Sequence, residues 1–470
     1  YYPKGNFGSG IYIDGTSSSV SLYGGSVINN SSVAENVQNC DIGYSVSVAD
    51  PVVSLAENAY IETIYSPKTY IKILDKLSAF SSGKECKIFT SIAEGNQVLR
   101  AETKDIPLAD YVDFFKLYDQ NMKEAKEYSL SVDFNAEVPA AKIVKTGVPF
   151  DSISKTSDMK QGESYAISTA EDLKKISSFS ESSNFFDIKL VLKNDIDLGC
   201  DESSPFSPIG SKIDFLGTFD GNGHKISNLY VNTTTGKAGL FACVNSGTVK
   251  NITVEGTVID NASSVVNGTG VAGVVGYSTG KVTVENCISK VNITSSCENT
   301  GGILGYTNSD SVIRNCINIG SINSSNDFTG GILGFAVGGA VVYNCANFGT
   351  VSGKSYVGGI VGKTESDVSL CYSVGAITAY DGDSAAASIA NVTGTDSKFY
   401  QYCYYKTDSA GAAFNGASPT VRNFSKPEDI NLGQELSNRI NDSKNKEFCS
   451  PWNKIYAFDG VGYPVCVQIR

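Results

Sequence analysis

The residues of this chain that could do chemistry are few and scattered. Its one histidine, His224, lies in Asp220-Gly221-Asn222-Gly223-His224, a run of turn-forming residues. Any Ser-His-Asp or Cys-His relay would have to use that ring, so the turn reading argues against a nucleophilic triad. Two acidic runs, Asp195, Asp197, Asp201 and Glu202, then Asp381-Gly382-Asp383, could imitate metal sites. Neither has the ligand spacing of a calcium loop, and both read as solvated or turn-forming groups. The 12 cysteines include no CxxC pair and no Cys/His cluster, so zinc is not expected. A polysaccharide hydrolase needs neither residue type; it needs two carboxylates on one face, roughly 5 to 9.5 Å apart. No Asp or Glu ladder across successive repeats is evident, and Lys281, Glu285, Arg314 and Tyr343 stand near the strands instead. The expectation is therefore no catalytic, cofactor-binding or metal-ligating residue, and a chain that is not itself an enzyme.

The elements that would position any site belong to a repeat. Gly301-Gly302-Ile303-Leu304-Gly305-Tyr306, Gly330-Gly331-Ile332-Leu333-Gly334-Phe335 and Gly358-Gly359-Ile360-Val361-Gly362-Lys363 are copies of one phrase, with a looser one at Ala272-Gly273-Val274-Val275-Gly276-Tyr277. Taking Gly239, Gly273, Gly302, Gly331, Gly359 and Ala387 as markers, the spacings are 34, 29, 29, 28 and 28 residues, a solenoid period. The units are short β-branched runs broken by Gly, Asn and Ser, with no stretch of helical periodicity. They predict an all-β fold, a right-handed parallel β-helix of about six stacked coils whose rungs are roughly 4.8 Å apart. Asn286-Cys287, Asn315-Cys316 and Asn344-Cys345 keep the same beat, and Leu370-Cys371 keeps the cysteine alone. In Val284-Glu285-Asn286-Cys287, valine and cysteine can both face the core only if the chain turns at the asparagine. Asparagine tolerates the left-handed conformation such a corner needs, and its amides can bond along a ladder. Gly320, Gly349 and Gly375 are expected at the next bend.

Cys287, Cys316, Cys345 and Cys371 thus read as reduced, stacked core residues. The pairing of Cys40, Cys86, Cys200, Cys243, Cys297, Cys403, Cys449 and Cys466 stays open, with Cys449 and Cys466 placed where they could bridge the end of the chain. The 470 residues carry a net charge of −12, which argues against nucleic acid or an anionic membrane as partner. No apolar run approaches the ~20 residues of a membrane span.

Along the chain, residues 1–150 read as a β-rich region opening on a partial β-helix at 5–35, residues 151–163 as a linker, and residues 164–470 as the main β-helix. The mid-pattern start suggests further coils before Tyr1. Longer strands such as Tyr70 to Leu74 follow Cys40, with a short helix around Ala109 to Leu117. Ser168-Thr169-Ala170-Glu171-Asp172-Leu173 fits a capping box, Ser168 at the N-cap and Glu171 three residues on, opening a short helix across the end of the solenoid.

Several motifs then occur in order: the capping helix, Leu190 to Leu198, Pro208-Ile209-Gly210, Phe215 to Val231, the Gly-Gly-Ile-Val-Gly repeats and a closing Gly462-Tyr463-Pro464-Val465. In this order residues 163–467 resemble the GLUG-repeat β-helix domains of secreted and cell-surface bacterial proteins, and residues 5–35 resemble the glycine-rich repeats of large bacterial surface proteins. Cys466, where that family commonly has leucine, and Ala386-Ala387, in place of Gly-Gly, depart from the pattern. The resemblance implies a stalk, an adhesive region or a part of a surface assembly, extracellular or at the cell surface. Such domains also occur beside the catalytic domain of immunoglobulin A-type metallopeptidases, whose His-Glu-x-x-His a chain with one histidine cannot form. The expected ligand is a polysaccharide or a host surface protein, met by the loops at 232–237, 261–269 and 380–384 and by exposed tyrosines, with self-assembly a further possibility and no cofactor. The alternative is a polysaccharide-active β-helix enzyme, or the non-catalytic arm of a larger secreted enzyme.

Overall fold

In the computed structural model of the protein, the residues described are 11–13, 19–22, 26–27, 42–44, 52–55, 60–61, 63–65, 71–74, 85–89, 94–103, 105–106, 108, 111–119, 123–133, 138–262, 268–364, 367–382, 386–392, 400–406, 414–415, 420–424, 427–440, 449–452, 454–458 and 461–466. The chain forms two compact units, Tyr1–Pro149 and Phe150–Arg470.

In the first unit, parallel stacking continues well past residue 35. Ile11–Ile13 pairs with Ile42–Tyr44, Ser19–Leu22 with Val52–Leu55 and Ser26–Val27 with Tyr60–Ile61, all in parallel. Cys86–Phe89 and Phe115–Tyr118 extend the same arrangement, and Ala140–Lys145 turns antiparallel, pairing with Tyr128–Asp133 on one side and Gln97–Ala101 on the other. The helix expected near residues 109–117 is a single 3₁₀ turn, Val112–Phe114, running straight into that strand. Phe115 and Leu117 alternate inward with Ile71, Ile73 and Ile88 in one core, so the period is two rather than 3.6.

The second unit is the parallel β-helix, of about ten turns. The Gly-Gly marker undercounts because coils at both ends lack it: Ser164–Ile167, Lys189–Leu192 and Thr218–Asp220 lie below, and Tyr400–Lys406 with Thr420–Phe424 above. One coil shows the plan. Thr283–Glu285 leads to a corner at Asn286, then Ile288–Ser295, a short Thr300–Gly301 strand and Leu304–Thr307. The next coil repeats it in register, Val284 over Ile313 over Val342.

Asn251, Asn286, Asn315 and Asn344 occupy the left-handed region with φ of 53–57°, and Leu370 follows at 56°. Val284 and Cys287, on either side of one corner, are both fully buried. The glycine after each cysteine has a different cause. Gly320, Gly349 and Gly375 are bends without positive φ; a Cβ on Gly349 would stand 2.0 Å from the Gly320 carbonyl oxygen, so close packing of successive coils excludes any side chain.

Helix α1, Ala170–Phe179, starts one residue later than Ser168 would set it. Thr169 Oγ1 accepts from the Asp172 amide at 3.1 Å, and Asp172 Oδ2 accepts from the amides of Thr169 and Ser168. Both registers satisfy the box locally; the chosen one buries Leu173 and Ile176 completely and leaves Glu171 in solvent. At the far end, helix α2, Leu432–Ile440, packs Leu432 and Leu436 with Trp452, Tyr463, Phe348, Tyr372 and Tyr404.

Candidate binding groove

The last residue of each Gly-Gly phrase points out of the core, and register stacks these residues in a column: Tyr277, Tyr306, Phe335, then Lys363. Tyr277 and Tyr306 lie nearly parallel, 15° apart with centroids 5.1 Å from each other, and Phe335 meets Tyr306 edge-on at 5.8 Å. Lysines end the column. Lys237 Nζ sits 4.5 Å from the Tyr277 centroid, and Lys363 Nζ sits 4.8 Å from Tyr356, 5.3 Å from Phe328 and 5.6 Å from Phe335.

A second column runs beside the first, two residues before each Gly-Gly. Asn299, Phe328 and Tyr356 occupy equivalent corners, all left-handed, with φ of 63°, 64° and 53°. Asparagine takes that conformation readily; a bulky aromatic there costs about 1–2 kcal/mol. The strain places Phe328 against Phe335, nearly parallel at 4.8 Å, and Tyr356 against Phe328 at 5.2 Å. Where the second column carries Asn299, and Gly270 before it, there is no ring, and a groove of about 350 Å³ opens between the columns, walled by Tyr277, Tyr306, Phe328 and Phe335.

Glu298 also lines the groove. Burial, and after it the Asp327 carboxylate, raises the Glu298 carboxyl above its ordinary range against an opposing pull from Lys354. Asp327 stands 29 residues on, four before its own Gly-Gly marker as Glu298 is before its marker. The floor is polar: Asn299 is 5% exposed, its Nδ2 donates to the Thr269 carbonyl at 2.9 Å, and its Oδ1 accepts no hydrogen bond among the described residues.

Of the expected recognition loops, two reach this corner. Lys237 ends the 232–237 loop, and Gly268 belongs to 261–269, of which residues 263–267 lie outside the described residues. Tyr380, 56% exposed, instead donates to Asn323 Oδ1 at 2.6 Å; Asp383 lies outside the described residues. The rings of Tyr277 and Tyr306 largely face each other, so they are shingles rather than open platforms. Phe328 and Tyr356 were missed by the sequence reading, although their place two residues before Gly-Gly was a usable signal.

The other candidates serve the fold. His224 is buried in its turn, its amide donating to the Gly221 carbonyl at 2.8 Å and its Nδ1 lying 3.3 Å from Asp195 Oδ1. Asp197 accepts from the Gly199 amide and Asn228, and Asp201 from Ser203 and Ser204, each closing its own turn and each held below the ordinary Asp range by those hydrogen bonds, the Asn228 and Ser203 side chains first. Glu285 and Arg314 form an ion pair, with Arg314 Nη1 donating to Tyr343 Oη at 3.3 Å. Cys86, Cys200, Cys243, Cys297, Cys403, Cys449 and Cys466 are not disulfide-bonded, nor are the four of the ladder; Cys466 Sγ donates to the Asn344 carbonyl and does not bridge to Cys449. Cys40 lies outside the described residues. Among the described residues, no helix is long and apolar enough to cross a membrane.

No protein-family model matches the chain, and no curated protein matches it. Among solved structures the chain is similar to one described as a "putative immunoglobulin A1 protease from Bacteroides ovatus", with 21% identity and a TM-score of 0.45, covering 65% of this chain and 93% of that one. That description overturns one expectation from the sequence, that the chain is not an enzyme, and it is withdrawn. Its physical basis fails as well. Aligned on its strands the repeat shows no carboxylate ladder, but Glu298 and Asp327 hold equivalent positions on the corner before Gly-Gly.

Proposed function

We propose that this chain is the β-helix portion of a secreted or cell-surface protein of the GLUG-repeat type its motifs resemble, and that it acts as a rigid adhesive element with the aromatic corner as its contact face. One observation carries the reading. Phe328 and Tyr356 hold aromatic side chains in a backbone conformation that asparagine would occupy at lower cost, and they do so on the outside of the solenoid, where core packing does not require it. A stiff scaffold with variable corners suits recognition, since a corner can change without disturbing the stacked core. The test is capture of the labelled chain on arrayed glycans and on immobilised extracellular-matrix proteins. Saturable binding that Phe328→Asn weakens supports the reading, and a chain that binds neither surface removes it.

A second reading is favoured by the Glu298 and Asp327 carboxyls on adjacent coils, one with its pKa raised, beside a groove. Such a pair suits a polysaccharide-active protein, with Glu298 donating a proton. New reducing ends from oligosaccharides, lost in Glu298→Gln, would identify that activity.

A further inference from the structure

The groove between the two aromatic columns has features that narrow its ligand. Its volume, about 350 Å³, falls at the small end of ligand pockets, which run to ~300–1,000 Å³. Tyr277 and Tyr306 are nearly parallel with centroids 5.1 Å apart. Tyr306 covers one face of Tyr277 and Lys237 stands 4.5 Å from its centroid, so the ring surface left to the groove is that of Tyr306. Both phenol groups bring a polar tip to the same walls. On the floor, the Asn299 Oδ1 is buried and accepts nothing among the described residues, which leaves an acceptor that a donor of the ligand would satisfy.

Charge selects against ions of either sign. The cation sites on the ring faces are taken by Lys237 and Lys363 from this same chain. The Glu298 carboxyl opposes an anion, and Lys354, 3.9 Å from Asp327, offsets the second carboxylate. The remaining complementarity is to an uncharged molecule with a C–H face for the rings and hydroxyls for the acceptors. A pyranose has that construction.

We infer that the groove is a subsite for an uncharged saccharide, with a pyranose against Tyr306 and hydroxyls donating to Asn299 and Glu298. This rests on the binding role proposed above and names the ligand class of that corner. The floor position also supplies the variant that tests it. Asn299→Phe extends the second column with the residue that the next coil already carries at Phe328 in the same left-handed conformation, and so fills the groove with a ring the corner is known to hold.

The experiment is calorimetric titration of the chain with cellohexaose, xylohexaose and mannohexaose, with a heparin hexasaccharide as the charged control. At least one neutral hexasaccharide should bind, the heparin fragment should not, and Asn299→Phe should lose about tenfold or more, the scale of one stacked ring and one buried hydrogen bond. Glu298→Gln, which keeps the shape of the side chain, should weaken binding several-fold and guards against misfolding of the phenylalanine variant. Neutral binding that both variants leave unchanged overturns the inference and leaves the adhesive reading standing. Failure of all three neutral sugars, with capture on matrix proteins retained, also overturns the inference alone. Failure of both assays overturns the inference and the reading on which it rests.

Discussion

The side-chain amide of Asn344 donates from Nδ2 to the Oδ1 of Asn315 at 2.7 Å, joining equivalent corners of adjacent coils. Asn286 donates to Asn251 at 2.9 Å in the same way, and Asn251 to Asp220. Inside the core a parallel ladder runs from Asn318 to Asn347 at 2.9 Å and on to Ser373 at 3.3 Å. Asn344 also donates to the Ser450 carbonyl. Asn344→Ala should therefore lower stability by about 1–3 kcal/mol through the lost hydrogen bonds to Asn315 and Ser450 and a strained corner. Asn344→Asp should lose more, since it sets a carboxylate against the Asn315 oxygen. Urea unfolding of the two variants measures the order.

Glycines in this chain answer to two separate demands, and alanine scanning should separate them. At Gly349 a Cβ meets the Gly320 carbonyl oxygen at 2.0 Å, so Gly349→Ala must push two coils apart and should cost more than about 4 kcal/mol. At Gly382 nothing lies within 4 Å of a Cβ, but φ is +102°, so Gly382→Ala should cost only about 1–2 kcal/mol of backbone strain. Equal losses in thermal unfolding would contradict this division.

Asp260 is fully buried, accepting from the amides of Gly236 and Ala262 at 2.8 Å with the Cys297 thiol beside it. Burial raises its carboxyl above the ordinary Asp range, against the lowering effect of those hydrogen bonds. A raised folded-state pKa contributes stability that is fully present below the unfolded value of ~3.9 and is lost as pH climbs through the folded value. Asp260→Asn cannot titrate, so the advantage of the wild type over it in Tm should shrink over the pH window that opens at about 4 and runs upward through the folded value. A gap that stays constant across that window would refute the assignment.

The cysteine ladder should be inert. Cys287, Cys316, Cys345, Cys371 and Cys403 are fully buried, out of reach of a reagent in the native chain. Burial pushes the Cys287, Cys345 and Cys403 thiols well above the ordinary value, and Cys297 to about 12 with help from Asp260, whereas at Cys316 and Cys371 burial is outweighed by hydrogen bonds from neighbouring thiols, so protection there rests on inaccessibility alone. The thiolate is the reactive form, so alkylation of the native chain should leave these positions unlabelled, and denaturation should expose all of them to reagent. Peptide mass spectrometry after each treatment decides the matter.

Much of this molecule was legible before folding. The spacing of the Gly-Gly markers determined the parallel β-helix, because one set of core contacts repeated every coil must return the same residue types at the same interval. The Val-x-Asn-Cys phrase determined the corner, since two inward residues three apart leave the backbone no other course. What the sequence left out were relations between coils. Whether Gly349 served a positive φ or a close approach, which of Ser168 and Thr169 capped α1, and how many coils lacked the marker all depended on what the neighbouring coil presented. The groove is the clearest case. Asn299, Phe328 and Tyr356 are unremarkable in their own segments, and so are Glu298 and Asp327. Stacking brings residues 28 or 29 apart in sequence to one corner at the rung spacing of ~4.8 Å, and only that juxtaposition leaves a gap where asparagine stands in an aromatic column.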